Sequence, residues 1–405
     1  LLASSSAGQA ETGKRTSSVP LRIFAACFTS IMISVHYTNY SPLIDTLKTE
    51  LHISSGQVGL FSTLLFLGLT VAYLPAGLLV DRFGTRAVLI GATALATVSG
   101  VVLPLVPSLS WLLACRFLVG VGTGAAFIAG AGVAASLGRH ASLAQGLYGG
   151  AIQIGSGMGL LVTPALLHLF GWRGAFLFWS ILGMLCTLTW FFVHDNQQRR
   201  TSSSIDLKAA VRSPAVWTLG LSHLGTFGLG NAIAAWITAY LIYQYGLPLA
   251  LAATIGSFML LTGVIFRPLG GIVLARRIIG AIPLLRMGTI MGSLGVILLA
   301  LPLRSSALAA TGLALITIGS TTPYASVFNS AANLRNVGKG VAQGFLSVLA
   351  SPTVILGPPL IGLLVDHTGS FTLAFGSILL FGCVAITSSL LAGPAVKRES
   401  LASET

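Results

Sequence analysis

Arg267 lies inside a long apolar run with no acidic residue at its depth, so its guanidinium must find carbonyls, hydroxyls, water or a bound anion. It precedes Arg276 by nine residues, which at 1.5 Å per helical residue places it ~13 Å from the charged end of its segment. The planar fork of an arginine can grip an anion through two parallel hydrogen bonds. The carboxylates lie elsewhere. Of nine acidic residues, Glu11, Asp195, Asp206, Glu399 and Glu404 fall in tails or a central linker, and Asp45, Glu50, Asp81 and Asp366 in loops or at helix ends. A cationic substrate, or a proton relay through Asp or Glu, needs an acid at depth, because an unpaired cation there costs several kcal/mol.

Other polar side chains could complete such a site. Tyr37, Tyr40, Tyr73 and Tyr148 can donate hydroxyl hydrogen bonds, and Gln153, Asn231, Tyr324 and Asn329 sit deep in the fifth, seventh and tenth apolar segments. Each could equally tie helix to helix. His36 and His223 are the histidines well within the spans, and an imidazole with an unperturbed pKa of about 6.5 can carry a proton near neutrality. We expect His36 to be the better placed carrier, the alternative being a neutral hydrogen-bonding side chain. No nucleophile with a base, no metal-ligand set and no Gly-x-x-x-x-Gly-Lys-Ser/Thr loop is present, so neither an enzyme nor an ATP-driven machine is expected, and no cofactor.

The elements that must position these groups are membrane helices. Hydrophobic residues make up 54% of the 405-residue chain and charged ones 8%, a surface no soluble fold could solvate. Because a bilayer core needs about 20 helical residues to cross, the sequence predicts an all-α membrane protein with twelve spans at 20–44, 55–80, 87–106, 109–135, 142–168, 173–194, 214–243, 250–275, 282–303, 308–330, 339–365 and 371–394. With both termini cytoplasmic, Lys48, Arg173 and Arg304 lie outside, Arg116 and Arg267 lie within the membrane, and the other 17 of 22 Lys and Arg lie inside, a positive-inside bias. The net charge of +13 is thus spread over loops facing anionic lipid, and nucleic acid is not an expected partner. Cys27, Cys115, Cys186 and Cys383 lie in apolar helices without paired spacing. Residues 1–18 read as a disordered cytoplasmic tail, 19–194 as a six-helix bundle, 195–213 as a central linker, 214–394 as a second bundle and 395–405 as a tail. The two halves echo each other: Gly77-Leu78-Leu79-Val80-Asp81-Arg82 recurs as Gly271-Ile272-Val273-Leu274-Ala275-Arg276, and Ala144-Gln145-Gly146 as Ala342-Gln343-Gly344.

The run Gly77-x-Leu79-x-Asp81-Arg82-x-Gly84-x-Arg86 resembles the loop motif between helices two and three of the major facilitator superfamily. The resemblance covers the whole chain: helix count, central loop, Arg116 with Gly120, Gly122 and Gly124, and the Trp172-Arg173 step. It implies two pseudo-symmetric six-helix bundles and a charged inner gate at Asp81, Arg82 and Arg86, with Arg276 as the second-half counterpart and Ala275 where that copy would carry its acid. Arg116 opens an Arg-x-x-x-Gly-x-Gly run similar to a motif linked to proton-coupled transport, the alternative being a side chain that snorkels to the outer interface. Arg267-Pro268-Leu269-Gly270-Gly271 resembles the helix-eight segment carrying the substrate-binding arginine in anion-carrying branches, the nitrate/nitrite, oxalate and monocarboxylate types. Nitrate porters have a second arginine in helix two, whereas an offset of 194 residues places Tyr73 there. Gly155 is followed by Ser156, not the Pro of the antiporter motif. The expectation is a secondary transporter moving a small, preferably organic, anion by alternating access, with protons and membrane lipids as further partners. The rivals are a drug or amphiphile exporter, an anion exchanger, and a receptor or scramblase without coupled transport.

Overall fold

The computed structural model describes residues 17–137, 140–194, 207–334 and 337–401; residues 195–206 of the linker and Arg139 and Arg335 fall outside the described residues. Among the described residues the chain is helical without strands: α1 (Val19–Thr38), α2 (Ile44–Leu51), α3 (Ser55–Phe83), α4 (Thr85–Val102), α5 (Leu109–Ala135), α6 (Ala141–Phe192), α7 (Leu207–Arg212), α8 (Pro214–His223), α9 (Leu229–Tyr245), α10 (Leu249–Leu261), α11 (Gly263–Ala275), α12 (Ala281–Ala300), α13 (Ser306–Thr321), α14 (Tyr324–Ala332), α15 (Lys339–Leu349), α16 (Pro352–Thr368) and α17 (Phe371–Leu401). Ten stretches among them are long and apolar enough to cross a membrane. Twelve passes become ten stretches for two reasons. Helices five and six run together as α6, turning at Gly171 with φ 66° and ψ 179°, a conformation that needs glycine. The tenth pass is split into α13 and α14 by Thr322 and Pro323, leaving neither piece long enough alone.

The split is one of several, and they cluster in the C-terminal half. Pass seven consists of α8 and α9 joined by a π-helical turn over Leu224–Gly228. Pass eight breaks at Thr262 between α10 and α11, and pass eleven at Ala350 and Ser351 before Pro352. Proline lacks the N–H that continues a helix, which accounts for the breaks before Pro323 and Pro352. In the N-terminal half α3 and α5 run uninterrupted, and α1 ends at Thr38, earlier than the sequence predicts, because Pro42 redirects the chain into a 3-10 turn at Ser41–Leu43. α17 continues to Leu401, so the tail expected from 395 is helical to that point.

The helices pack as two bundles. Helices α1, α3, α4, α5 and α6 form one and α8 to α17 the other, and they meet where α16 lies on α3 and where α10 and α11 lie on α6. Buried residues make up 83% of the most apolar window of Pro214–Tyr245 against 39% for Leu249–Ala275, so pass seven is central and pass eight faces lipid on one side. On the face opposite the termini the bundles are clipped together. Both carboxylate oxygens of Asp366, at the end of α16, accept hydrogen bonds from the first amides of α3, Ser55 at 3.0 Å and Gly56 at 2.8 Å. A helix N-terminus offers unpaired N–H groups and partial positive charge to such an anion. The Tyr243 hydroxyl adds a bond to Asp45 Oδ1 at 2.9 Å, and nearer the middle Thr63 donates to the Ile355 carbonyl at 2.6 Å.

Candidate functional site

Arg267 stands in α11 directly before Pro268, where the chain has already been offset by the break at Thr262. Its Nη1 donates to the Gly149 carbonyl of the other bundle at 2.7 Å. Its Cζ lies 4.4 Å from the centre of the Tyr324 ring, within cation–π range. Its Nε is buried without a hydrogen-bond partner. An arginine with an unmet donor is a group awaiting an acceptor, because a buried unsatisfied N–H costs about 1–3 kcal/mol.

That guanidinium lines a small cavity of about 20 Å³ together with Gln153, His223, Thr226, Phe227, Gly230, Asn231, Leu260, Ser320, Thr321 and Tyr324. The lining includes one fixed cation, no carboxylate and a ring of neutral donors. Local sequence explains the arrangement. Residues 223, 226, 227, 230 and 231 follow helical spacing and share one face of pass seven, across the π-helical turn. Asn231 Nδ2 donates back to the Phe227 carbonyl at 2.8 Å, engaging an acceptor of that turn. The break before Pro323 brings Ser320 and Thr321 of α13 and Tyr324 of α14 to the same wall. Gly263 is required by contact: a Cβ there would run into the Gln153 side chain, which crosses from the N-terminal bundle to donate to the Leu260 carbonyl at 3.4 Å.

Of the residues predicted to bind substrate, Arg267, Gln153, Asn231 and Tyr324 come together here. The cavity belongs mainly to the C-terminal bundle, Gln153 being its one lining residue from the other half. Tyr37, Tyr73 and Tyr148 form an aromatic layer beside it: Tyr37 packs on Phe66 at 5.1 Å and Phe66 on Phe227 at 6.2 Å, while Tyr73 and Tyr148 flank Phe127 at 5.8 and 5.9 Å. The Tyr148 hydroxyl is spent on the Phe127 carbonyl at 2.9 Å. Tyr40 belongs to Arg116 instead, its ring 5.4 Å from that guanidinium. Asn329 is exposed near the end of α14, because the break at Pro323 turns it out of the depth that a continuous helix would give it. His223, Thr226, Ser320 and Thr321 were not among the residues chosen for binding. The signal that could have found them is the hydroxyl run Ser320-Thr321-Thr322 just before a proline.

Arg116 does not snorkel. It is fully buried, with Nε bonded to the Phe61 carbonyl at 3.2 Å, Nη1 to Asn39 Oδ1 at 3.2 Å and Nη2 to the His36 carbonyl at 2.7 Å. The His36 ring faces α4 and α6 inside the N-terminal bundle, its Cε1 3.9 Å from where a Cβ on Gly100 would stand, and it does not line the cavity. Of the gating candidates, the side chain of Asp81 lies outside the described residues. Arg82 is exposed with its guanidinium 5.2 Å from the Phe83 ring, and Arg276 is exposed at the end of α11. Arg86 caps α6, donating to the carbonyls of Trp190 at 2.9 Å and Phe191 at 2.5 Å.

A second hollow, about 550 Å³ and almost wholly apolar, opens between α1 and α6 and is lined by Val19, Ile23, Phe24, Leu147 and Ile154 among others.

A family model described as Major Facilitator Superfamily matches residues 24–351. A nitrite extrusion protein of Bacillus subtilis is 26% identical over 238 residues, 57% of this chain and 59% of its own, so the chain spans about three fifths of that relative. A probable nitrate transporter, NarT, of Staphylococcus aureus is 23% identical over 353 residues, 85% of this chain and 89% of its own. A bacterial homolog of the human lysosomal transporter Spinster, crystallised inward-facing and occupied, superposes with a TM-score of 0.72 at 17% identity, covering 96% of this chain and 98% of that one.

Proposed function

This chain belongs to the Major Facilitator Superfamily, an integral multi-pass membrane transporter and not an enzyme, and we propose that its cargo is a small anion bound at Arg267. One observation carries the reading: the half-buried Arg267, its Nε buried and unpaired, faces a cavity whose lining contains no carboxylate. A cation at such depth favours an anionic ligand; the second N–H of the Gln153 and Asn231 amides can meet the oxygens that the arginine leaves free, and Ser320 and Thr321 can join by turning their hydroxyls from the Thr317 carbonyl. The names of the two bacterial relatives, concerned with nitrite and nitrate, support the same charge class. A single arginine with an aromatic layer beside it also suits a small organic monoanion.

Transport proceeds by alternating access in the membrane that encloses the cell, with both termini in the cytoplasm. Under this reading the Asp366 clip is the outer closure, and the Arg267 bond to Gly149 ties the bundles at the depth of the cavity. Residues 1–18, 195–213 and 395–405 flank and join bundles 19–194 and 214–394. Asp81, Arg82, Arg86 and Arg276 guard the inner mouth.

The test is uptake of labelled nitrate, nitrite and a small monocarboxylate into proteoliposomes carrying the purified chain. Saturable uptake of at least one, abolished in Arg267→Ala, is expected. An amphiphile exporter is the competing reading, favoured by the apolar hollow between α1 and α6. It predicts that lipophilic compounds, and none of the anions, are moved.

A further inference from the structure

We infer that His223, and not His36, carries a proton together with the anion, through the charge it shares with Arg267 across one cavity. The inference rests on the anion site proposed above and adds its coupling.

Both side chains line the same small cavity. With the cavity empty, a proton on His223 places a second cation beside a fixed one, and repulsion opposes it. With a monoanion between them, the same proton gains an attractive partner. Linkage is reciprocal, so the anion then raises the affinity for the proton by the factor by which the proton raises the affinity for the anion. Neither ligand binds well alone, which is the condition for moving them together.

The setting of His223 fits a change of charge. Its Nδ1 lies 2.6 Å from the Thr226 hydroxyl, which in turn lies 3.5 Å from the His223 carbonyl. A hydroxyl can rotate between these partners. With a neutral ring the Thr226 O–H donates to Nδ1; with the proton on Nδ1 the ring donates to Thr226 Oγ1 and the hydroxyl hydrogen turns to the His223 carbonyl. The proton added is one taken from water on the side where the anion enters and returned to water where it leaves. Phe227 stacks on the ring at 5.6 Å and Phe328 meets it edge-on at 5.7 Å, which holds it at the cavity wall.

The other ionisable groups among the described residues around this position are few. Arg267 on α11 and Tyr324 on α14 share the cavity with His223, and Tyr37 on α1 lies close enough to feel both of them. Further along the packed elements stand Arg286 on α12 and Lys397, Arg398 and Glu399 on α17. Glu399 is engaged by Ser213 Oγ at 2.6 Å and the Ala215 amide at 2.9 Å. No carboxylate lines the cavity to hold a proton on His223 in place of the anion.

Nitrate is the probe, because it does not titrate between pH 5 and 9 and any pH dependence then belongs to the protein. Nitrate affinity of the wild-type chain in detergent is expected to fall about tenfold per pH unit once His223 has lost its proton, and nitrate addition to a weakly buffered solution is expected to withdraw one proton per site. In proteoliposomes nitrate entry should carry protons in, and His223→Gln should abolish that proton movement in whatever nitrate flux remains. Thr226→Val should shift the pH profile, and Thr226→Ser should restore it. A pH-independent wild-type affinity, or an unchanged proton-to-nitrate ratio in His223→Gln, overturns the inference while leaving the anion site standing. Failure of nitrate and the other anions to bind or move at all overturns the anion reading itself.

Discussion

Arg116 and Arg267 each carry a positive charge into an apolar interior, one in each bundle, and they are treated in opposite ways. Arg116 is sealed among α1, α3 and α5, with all three guanidinium nitrogens bonded to fixed oxygens. Arg267 has one nitrogen bonded across the bundle interface, a second unpaired, and an aromatic face on which to rest. The difference lies in the backbone around them. The end of α1 at Thr38 presents the His36 carbonyl and the Asn39 side chain, and unbroken α3 adds the Phe61 carbonyl, so the charge is satisfied within one bundle. The broken passes seven, eight and ten open a hollow, and a charge there is satisfied only in part. A cation whose three nitrogens are all bonded to fixed oxygens is held by the fold; one with an unpaired nitrogen is left able to meet a ligand.

The comparison breaks most visibly if the two arginines respond alike to removal. Arg116→Met strips a charged donor from three buried acceptors and is expected to cost about 3 kcal/mol or more of stability, read as a large fall in the unfolding temperature in detergent. Full stability of that variant would refute the structural assignment. Arg267→Ala is expected to lower anion affinity about 100-fold or more while leaving the unfolding temperature nearly unchanged, and Arg267→Lys should fall between, keeping charge without the fork.

The Tyr324 ring sharpens the contrast further. Tyr324→Leu is expected to weaken anion binding by about tenfold through loss of the cation–π platform, whereas Tyr324→Phe should cost only a few-fold. Equal losses in the two variants would mean that the hydroxyl, not the ring, matters. The smallest effect expected is that of Arg86→Ala, about 1 kcal/mol of stability from the uncapped end of α6 with binding unaltered. A changed anion affinity in that variant would show that Arg86 acts on the binding site as well as on the inner mouth.

Much of the architecture is legible in the sequence because the bilayer leaves few choices: a run of about 20 apolar residues must be a helix. Arg267 stands out for the same reason, as an ionisable group without a counter-charge in such a run, and Gln153, Asn231 and Tyr324 follow by depth. What hydropathy does not carry is rotation about the helix axis and the breaks that change it. His36 and His223 look equivalent in a window of residues, yet one faces α4 and α6 and the other the cavity. Pro323 was visible, but its effect on Asn329 depends on where the split pass resumes. Thr262 breaks pass eight without a proline, and hydroxyl residues such as Thr226, Ser320 and Thr321 are too common within membrane helices to announce a site.

The turn at Gly171 bears on how the molecule is made. Its two limbs are 52 consecutive residues that turn at one glycine, so no polar stretch separates them for the insertion machinery to handle as a loop. A hairpin this tightly joined is expected to enter the bilayer as one object, the first limb reaching its final place when the second follows. Arg173 sits beside the turn with its guanidinium 5.2 Å from the Trp172 ring, so the hairpin carries a charge at its tip. Lengthening that corner with a polar insert would part the two insertion events and leave the first limb free to settle in either orientation.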